Sequence, residues 1–361
     1  MYFFENPSIT YFVPYLFLVY LSIRNNRKLS NLTCIFIWIF LLIFIGFRYY
    51  VGADWFNYEN WVKQAEIDTY SELLLKAISP GYAFLLKICA NYNLGVYGLN
   101  FFNAGIFSAG LIYFCSKLKN PLLGLIASYP YLILVVSMGY VTQATAIGIQ
   151  LVGLTFYQSR KFKSFYFSIF LASMFHNSAF LCLLIPFFDR IRLIKRKSSL
   201  ISLSLLIFGF GILYLRYLDT FFTSYIYSYF GRQYSAEGAF LKLLILFIFA
   251  IIFIINRNKF ELTNQQKNLL FSLSIVSILI FFSNIFVKST VATYRLSLYF
   301  YSLVLYVTSY LPYTNFLNIS AKNWKIIIYM YNFFILFGWL VFANHSRGWI
   351  PYKNILFNDI F

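Results

Sequence analysis

Long, mainly apolar stretches recur from one end of this chain to the other, and short polar loops separate them. A transmembrane helix needs about 20 mainly apolar residues, and no soluble fold accommodates so many helices that are apolar all round. The 361 residues are 61% hydrophobic and only 11% charged, where a soluble domain carries roughly 25% charged residues. The chain therefore reads as an all-α polytopic membrane protein, one integral domain over residues 1–361. Ten crossings are expected, at 9–22, 32–47, 96–116, 121–139, 142–158, 198–215, 239–255, 268–287, 296–311 and 325–343. The N-terminal MYFFENPS has neither a basic n-region nor a small-residue cleavage site, so the first span is expected to be retained.

The net charge of +18 invites a nucleic-acid reading, but its distribution argues otherwise. Six loops that these crossings place on one side hold 18 basic residues and just two acids, Asp189 and Glu261. The other side holds ten basic residues and nine acids, and Lys242 falls within a span. Lysine- and arginine-rich short loops stay in the cytoplasm, so the charge is a topology signal and nucleic acid is not an expected partner. Both termini then lie outside, with the main outer loops at 48–95 and 216–238.

Two segments resist a simple crossing. FYFSIFLASMFHNSAFLCLLIPFF, 165–188, is flanked on both sides by basic loops. Two arms of about 12 residues rise only ~18 Å each against ~30 Å of hydrocarbon. A broken or re-entrant hairpin with His176-Asn177 at its tip is favoured over one straight helix, which would put a basic loop outside. SPGYAFLLKICANY, 79–92, is short and contains Lys87, and reads as an interfacial or re-entrant helix.

Four scattered cysteines and two distant histidines make neither a disulfide framework nor a zinc site. No DxD or ExxH pattern appears, so no metal or other cofactor is expected. The polar residues of the outer face carry more information. In FRYYVGADWFNYENW, Asp54, Tyr58 and Trp61 are spaced to share one helix face. A carboxylate beside aromatic rings suits a saccharide, although an N-cap aspartate with an aromatic interfacial belt would show the same pattern. His176 lies at membrane depth, where ionisable groups are costly and mark functional sites; a neutral imidazole bonded at a helix break is the alternative. Arg48, Arg232, Lys288 and Arg295 place cations where topology least favours them, with Tyr299 one turn beyond Arg295. Arginine pairs bidentately with phosphate, so as a group they suggest a phosphate-bearing ligand. Gln143, at the outer start of a span, is placed to hold a hydroxyl.

These residues resemble the Wzy/EpsG family of bacterial polysaccharide polymerases. The likeness lies in Arg48-x5-Asp54-x3-Tyr58, then Ser79-Pro80-Gly81-Tyr82, then Gln143 with Ala144 and Ala146. Phe175-His176-Asn177-Ser178-Ala179, Arg295-x3-Tyr299 and Trp349-Ile350-Pro351-Tyr352 complete the order. The chain departs from the family at Thr142, where arginine is common, and at Ser79, where glutamate is frequent.

The resemblance implies a metal-independent O-antigen or capsule polymerase of the bacterial inner membrane, with its active site facing the periplasm. Its substrates would be undecaprenyl-diphosphate-linked oligosaccharide repeat units, and a chain-length regulator is a candidate protein partner. The acceptor hydroxyl needs a base, for which both Asp54 and His176 qualify, with the chemistry leaning to Asp54. Arg48, Arg232 and Arg295 would meet the leaving lipid diphosphate. A lipid-linked oligosaccharide flippase is the leading alternative, and a multi-pass acyltransferase or another lipid-sugar-dependent glycosyltransferase comes third.

Overall fold

The computed structural model describes residues 9–24, 29–76, 78–189, 238–286 and 290–357. The expected crossing at 198–215, with Arg232 and Lys288, lies outside the described residues. Within them the chain is helical, and its single β-type contact is an isolated bridge between Arg48 and Asn354.

Local sequence starts the helices where the loops end. The Ser30 hydroxyl accepts the Thr33 N–H at 3.1 Å and opens Asn31–Gly46. The Asn120 side chain does the same for Leu123, with Pro121 at the first helical position. Thr69 and Glu72 form a reciprocal capping box ahead of Tyr70–Leu75. Pro80 begins the helix Pro80–Asn91 at the segment expected to be interfacial or re-entrant.

Five helices among the described residues are long and apolar enough to cross a membrane: Gly95–Ser116, Pro121–Gly139, Ala239–Asn256, Asn264–Asn284 and Ala321–Phe342. Ile9–Arg24 and Asn31–Gly46 are apolar but shorter. Val141–Gln158 has the length, yet it buries Gln143, Thr145, Gln150 and Thr155. Its polar side chains face protein, and it packs back to back with Gly95–Ser116. A Cβ on Gly110 would fall 2.1 Å from the Gly148 carbonyl oxygen, so only glycine permits that approach.

The expected straight crossing at 296–311 needs correction. The helix begins at Thr290 and is interrupted, Thr290–Ser297 being joined to Ser302–Tyr310 through the 3-10 turn Leu298–Phe300. A side chain explains the break: Gln150 Nε2 donates to the Tyr299 carbonyl at 3.0 Å, supplying a partner for a backbone group at the interruption.

The hairpin expectation agrees with the structure. Phe162–Phe175 stops at His176, whose backbone is extended (φ −153°, ψ 115°). The chain returns through the 3-10 turn Asn177–Leu183 and the short helix Leu184–Asp189. At these lengths the outgoing arm rises ~21 Å and the returning arm ~23 Å, both short of the hydrocarbon thickness. The Tyr157 hydroxyl donates to the Asp189 carboxylate, while the Tyr157 ring also packs on Phe162 and Phe165. Both ends of the hairpin therefore meet the same end of the 141–158 helix.

Other loops expected to share that side are likewise brought together. Lys119 pairs with Glu261 at 2.7 Å and lies over the Tyr313 ring, and the Asn120 N–H donates to Ser309 at 2.7 Å. At the centre of the bundle, Pro121–Gly139 is wholly buried. Over Tyr129–Val136 its backbone hydrogen bonds widen to the π pattern, beside Pro130, which has no N–H to give. Such widened turns often accompany functional sites.

Candidate active site

The site is built at the end of the bundle where the 31–46 helix stops. Past Gly46 the chain turns sharply, and Gly52 takes φ +107° with its α-carbon against the 138 backbone. A Cβ there would lie 2.2 Å from the Met138 carbonyl oxygen. Arg48 fastens this turn. Its Nε donates to the Val51 carbonyl at 2.9 Å and one terminal nitrogen donates to Ile45 at 2.6 Å. The other donates to the Asn100 side chain at 2.9 Å and the Met138 carbonyl at 3.1 Å. The C-terminal segment closes over it: Tyr49 N–H donates to Lys353, Ile355 N–H to Phe47, and the Trp349 indole to Leu134.

Arg48 was expected to meet a ligand, and the structure places it inside the turn. Its side chain is 0% exposed, and four hydrogen bonds commit it to the protein's own oxygens. A guanidinium has five N–H donors, so little remains for a phosphate. In this placement Arg48 holds the turn that leads to residue 54.

Asp54 stands immediately before the helix Trp55–Ile67. It thus occupies the N-cap position of the alternative reading, without the side-chain bond that would cap the helix. Its carboxylate accepts from Asn57 Nδ2 at 3.2 Å. Burial pushes the Asp54 carboxyl above the usual carboxylate range, while Arg295 and the Asn57 bond pull it partly back. Four residues on, the Tyr58 hydroxyl accepts the Val141 N–H at 3.0 Å, locking the first turn of this helix to the start of 141–158. Trp61 packs edge-on against Tyr58 and Tyr82. Tyr58 is thus buried framework, and Trp61 is half-buried beside it.

Gln143 likewise turns inward, donating from Nε2 to the Arg295 carbonyl at 2.7 Å. It holds the 290–297 helix in register rather than presenting itself on an open surface. The Arg295 guanidinium lies 4.8 Å from the Tyr140 ring centre and within electrostatic reach of both Asp54 and His176. At the hairpin tip, His176 Nδ1 is 2.6 Å from the Ser178 hydroxyl and 3.1 Å from the Tyr299 hydroxyl. Asp54, Tyr140, His176 and Arg295 are each only half-buried, so each keeps part of its surface exposed.

Three residues from three distant stretches, 54, 176 and 295, therefore share one locality. Lys242 was not among the expected site residues. It lies one turn into Ala239–Asn256 with its ammonium 4.2 Å from the Tyr294 ring centre and 5.2 Å from that of Tyr131. A charge inside an apolar span was a usable signal; the tyrosines that hold it were not recognisable by spacing.

The fold is that of a multi-pass helical membrane protein, with a cluster of half-buried ionisable residues at one end of the bundle. The chain belongs to the EpsG family, whose family model matches residues 31–354. That family is polysaccharide-polymerase-like, which fits a glycosyltransferase type of activity. Comparison with curated proteins and with solved structures returned no match.

Proposed function

We propose that this protein is an O-antigen or capsule polymerase that transfers a growing glycan from undecaprenyl diphosphate onto the next lipid-linked repeat unit. The observation that carries the reading is that Asp54 and His176, each half-buried, both lie within electrostatic reach of Arg295. Its location in the inner membrane with the site facing the periplasm is part of the same proposal. Support comes from the clustering of the basic loops at the opposite end of the bundle.

In this mechanism the acceptor sugar's hydroxyl oxygen bonds to the anomeric carbon of the donor as the carbon–oxygen bond to the lipid diphosphate breaks. The hydroxyl proton goes to Asp54, a carboxylate raised toward a base's working range by burial. The bonding electrons leave with the diphosphate, whose growing charge Arg295 meets. In a partly dehydrated site, losing one such contact costs roughly 3 kcal/mol, about 10²-fold in rate. His176, bonded to Ser178 and Tyr299, is placed to orient the acceptor. Arg232 and Lys288 remain proposed further diphosphate contacts. Arg48, Tyr58 and Gln143 hold the framework. A chain-length regulator is the proposed protein partner.

Deleting the gene and displaying the surface glycan on a gel tests this reading. Loss of the ladder with a single repeat retained is expected. Loss of every surface repeat would overturn it in favour of a flippase.

A further inference from the structure

We propose that Lys242 is a second ligand cation of this site, and that with Arg295 it grips the diphosphate of the lipid-linked donor. The inference deepens the polymerase reading and rests on it.

Lysine within a span has an inexpensive alternative, which is to stretch its stem toward the nearest interface and leave its charge in headgroups. Lys242 does not do this. Its ammonium turns into the bundle and sits over two buried rings, 4.2 Å from the Tyr294 centre and 5.2 Å from the Tyr131 centre. It makes no ion pair among the described residues. A half-buried cation facing apolar rings is costly unless something offsets it. Ring faces supply part of that, and an anion supplies the rest.

The two rings are not ordinary packing residues. Tyr131 lies in the π-widened stretch Tyr129–Val136, the one irregular turn in the central helix. The Tyr131 and Tyr294 hydroxyls approach one another without forming a well-made hydrogen bond. Tyr294 immediately precedes Arg295, and the Tyr294 and Tyr140 rings meet edge-on at 6.2 Å. Tyr140 in turn lies under the Arg295 guanidinium at 4.8 Å. The two cations are thus separated by a pair of meeting rings, Lys242 lying on Tyr294 and Arg295 on Tyr140. That spacing suits an extended anion, with charge on two phosphorus centres, better than a compact one. The chemistry it fits is a diphosphate ester, and a phospholipid headgroup phosphate is the other source of the same group.

The test uses the full-length wild-type protein in phosphatidylcholine nanodiscs, with amine-reactive labelling of Lys242 read by mass spectrometry. Undecaprenyl diphosphate is expected to protect Lys242, and undecaprenol is not. Equal protection by the two lipids, or by phosphatidylglycerol, would make Lys242 an ordinary lipid contact and overturn the proposal. Binding of undecaprenyl diphosphate is measured in parallel. If the wild type binds it while Lys242 stays fully reactive, this inference fails and the polymerase reading stands. If the wild type does not bind it, the reading itself fails and takes this inference with it. Lys242→Gln is expected to weaken that binding about tenfold or more, and Lys242→Arg to restore most of it. Unchanged affinity in a folded Lys242→Gln protein would likewise overturn the assignment.

Discussion

The imidazole of His176 and the hydroxyl of Tyr299 meet at 3.1 Å across 123 positions of sequence. The contact joins the tip of the re-entrant hairpin to the interrupted helix that also carries Arg295. It makes the histidine's orientation a property of two elements at once. Tyr299→Phe keeps the ring and its packing but removes this hydroxyl. We expect about a tenfold loss of polymer formation with normal amounts of folded protein. Chain-length distributions of the surface glycan would show it, and wild-type distributions would remove the contact from the mechanism.

Arg48→Ala should damage the fold before the chemistry. It strips partners from the carbonyls of Ile45, Val51 and Met138 and from Asn100. Leaving buried groups unpaired costs about 1–3 kcal/mol each. The expected result is a lower melting temperature and less protein in the membrane, read by thermal-shift and quantitative immunoblot. A variant with wild-type stability and no long chains would instead put Arg48 back at the ligand.

Arg295→Ala should do the reverse, leaving protein levels intact while elongation falls about 10²-fold. Lysine at this position should rescue only in part, since a point charge lacks the planar fork and stacks less well on Tyr140. Full rescue by lysine would mean that charge alone suffices.

Asp54 links rate to pH. Because burial holds its carboxyl above the usual range, polymerisation in vitro should lose rate on the acid side at a pH above that of an ordinary carboxylate. Stability runs the other way. A raised carboxyl pKa means the folded state binds the proton more tightly than the unfolded one, so this group favours folding more as pH falls. Asp54→Asn should therefore abolish polymerisation while raising the melting temperature at neutral pH. That gain should shrink as the buffer is acidified. A melting temperature lowered by the substitution would show that the charge stabilises the fold.

Gly52→Ala combines a backbone at φ +107° with a methyl group 2.2 Å from the Met138 oxygen. Neither can be relieved by a rotamer, and at least 1–3 kcal/mol of destabilisation is expected. An unchanged thermal midpoint would contradict the tight turn that carries Arg48 to its partners.

The membrane class, most helix positions, the hairpin around His176 and the grouping of basic loops were legible in the sequence. Apolar run length and loop charge are local properties, and the hydrocarbon thickness imposes them segment by segment. Residues 54, 176 and 295 also stood out before any geometry, and the structure brings them near one another. Their individual parts were not legible. Arg48 and Arg295 look alike in sequence, yet one is buried against oxygens at 45, 51, 100 and 138 while the other is half-buried against the Tyr140 ring. Lys242 looked like a stray charge until Tyr131 and Tyr294 were seen around it. Whether a cation is spent on the fold or offered to a ligand depends on which distant acceptors surround it, and only the tertiary structure decides that.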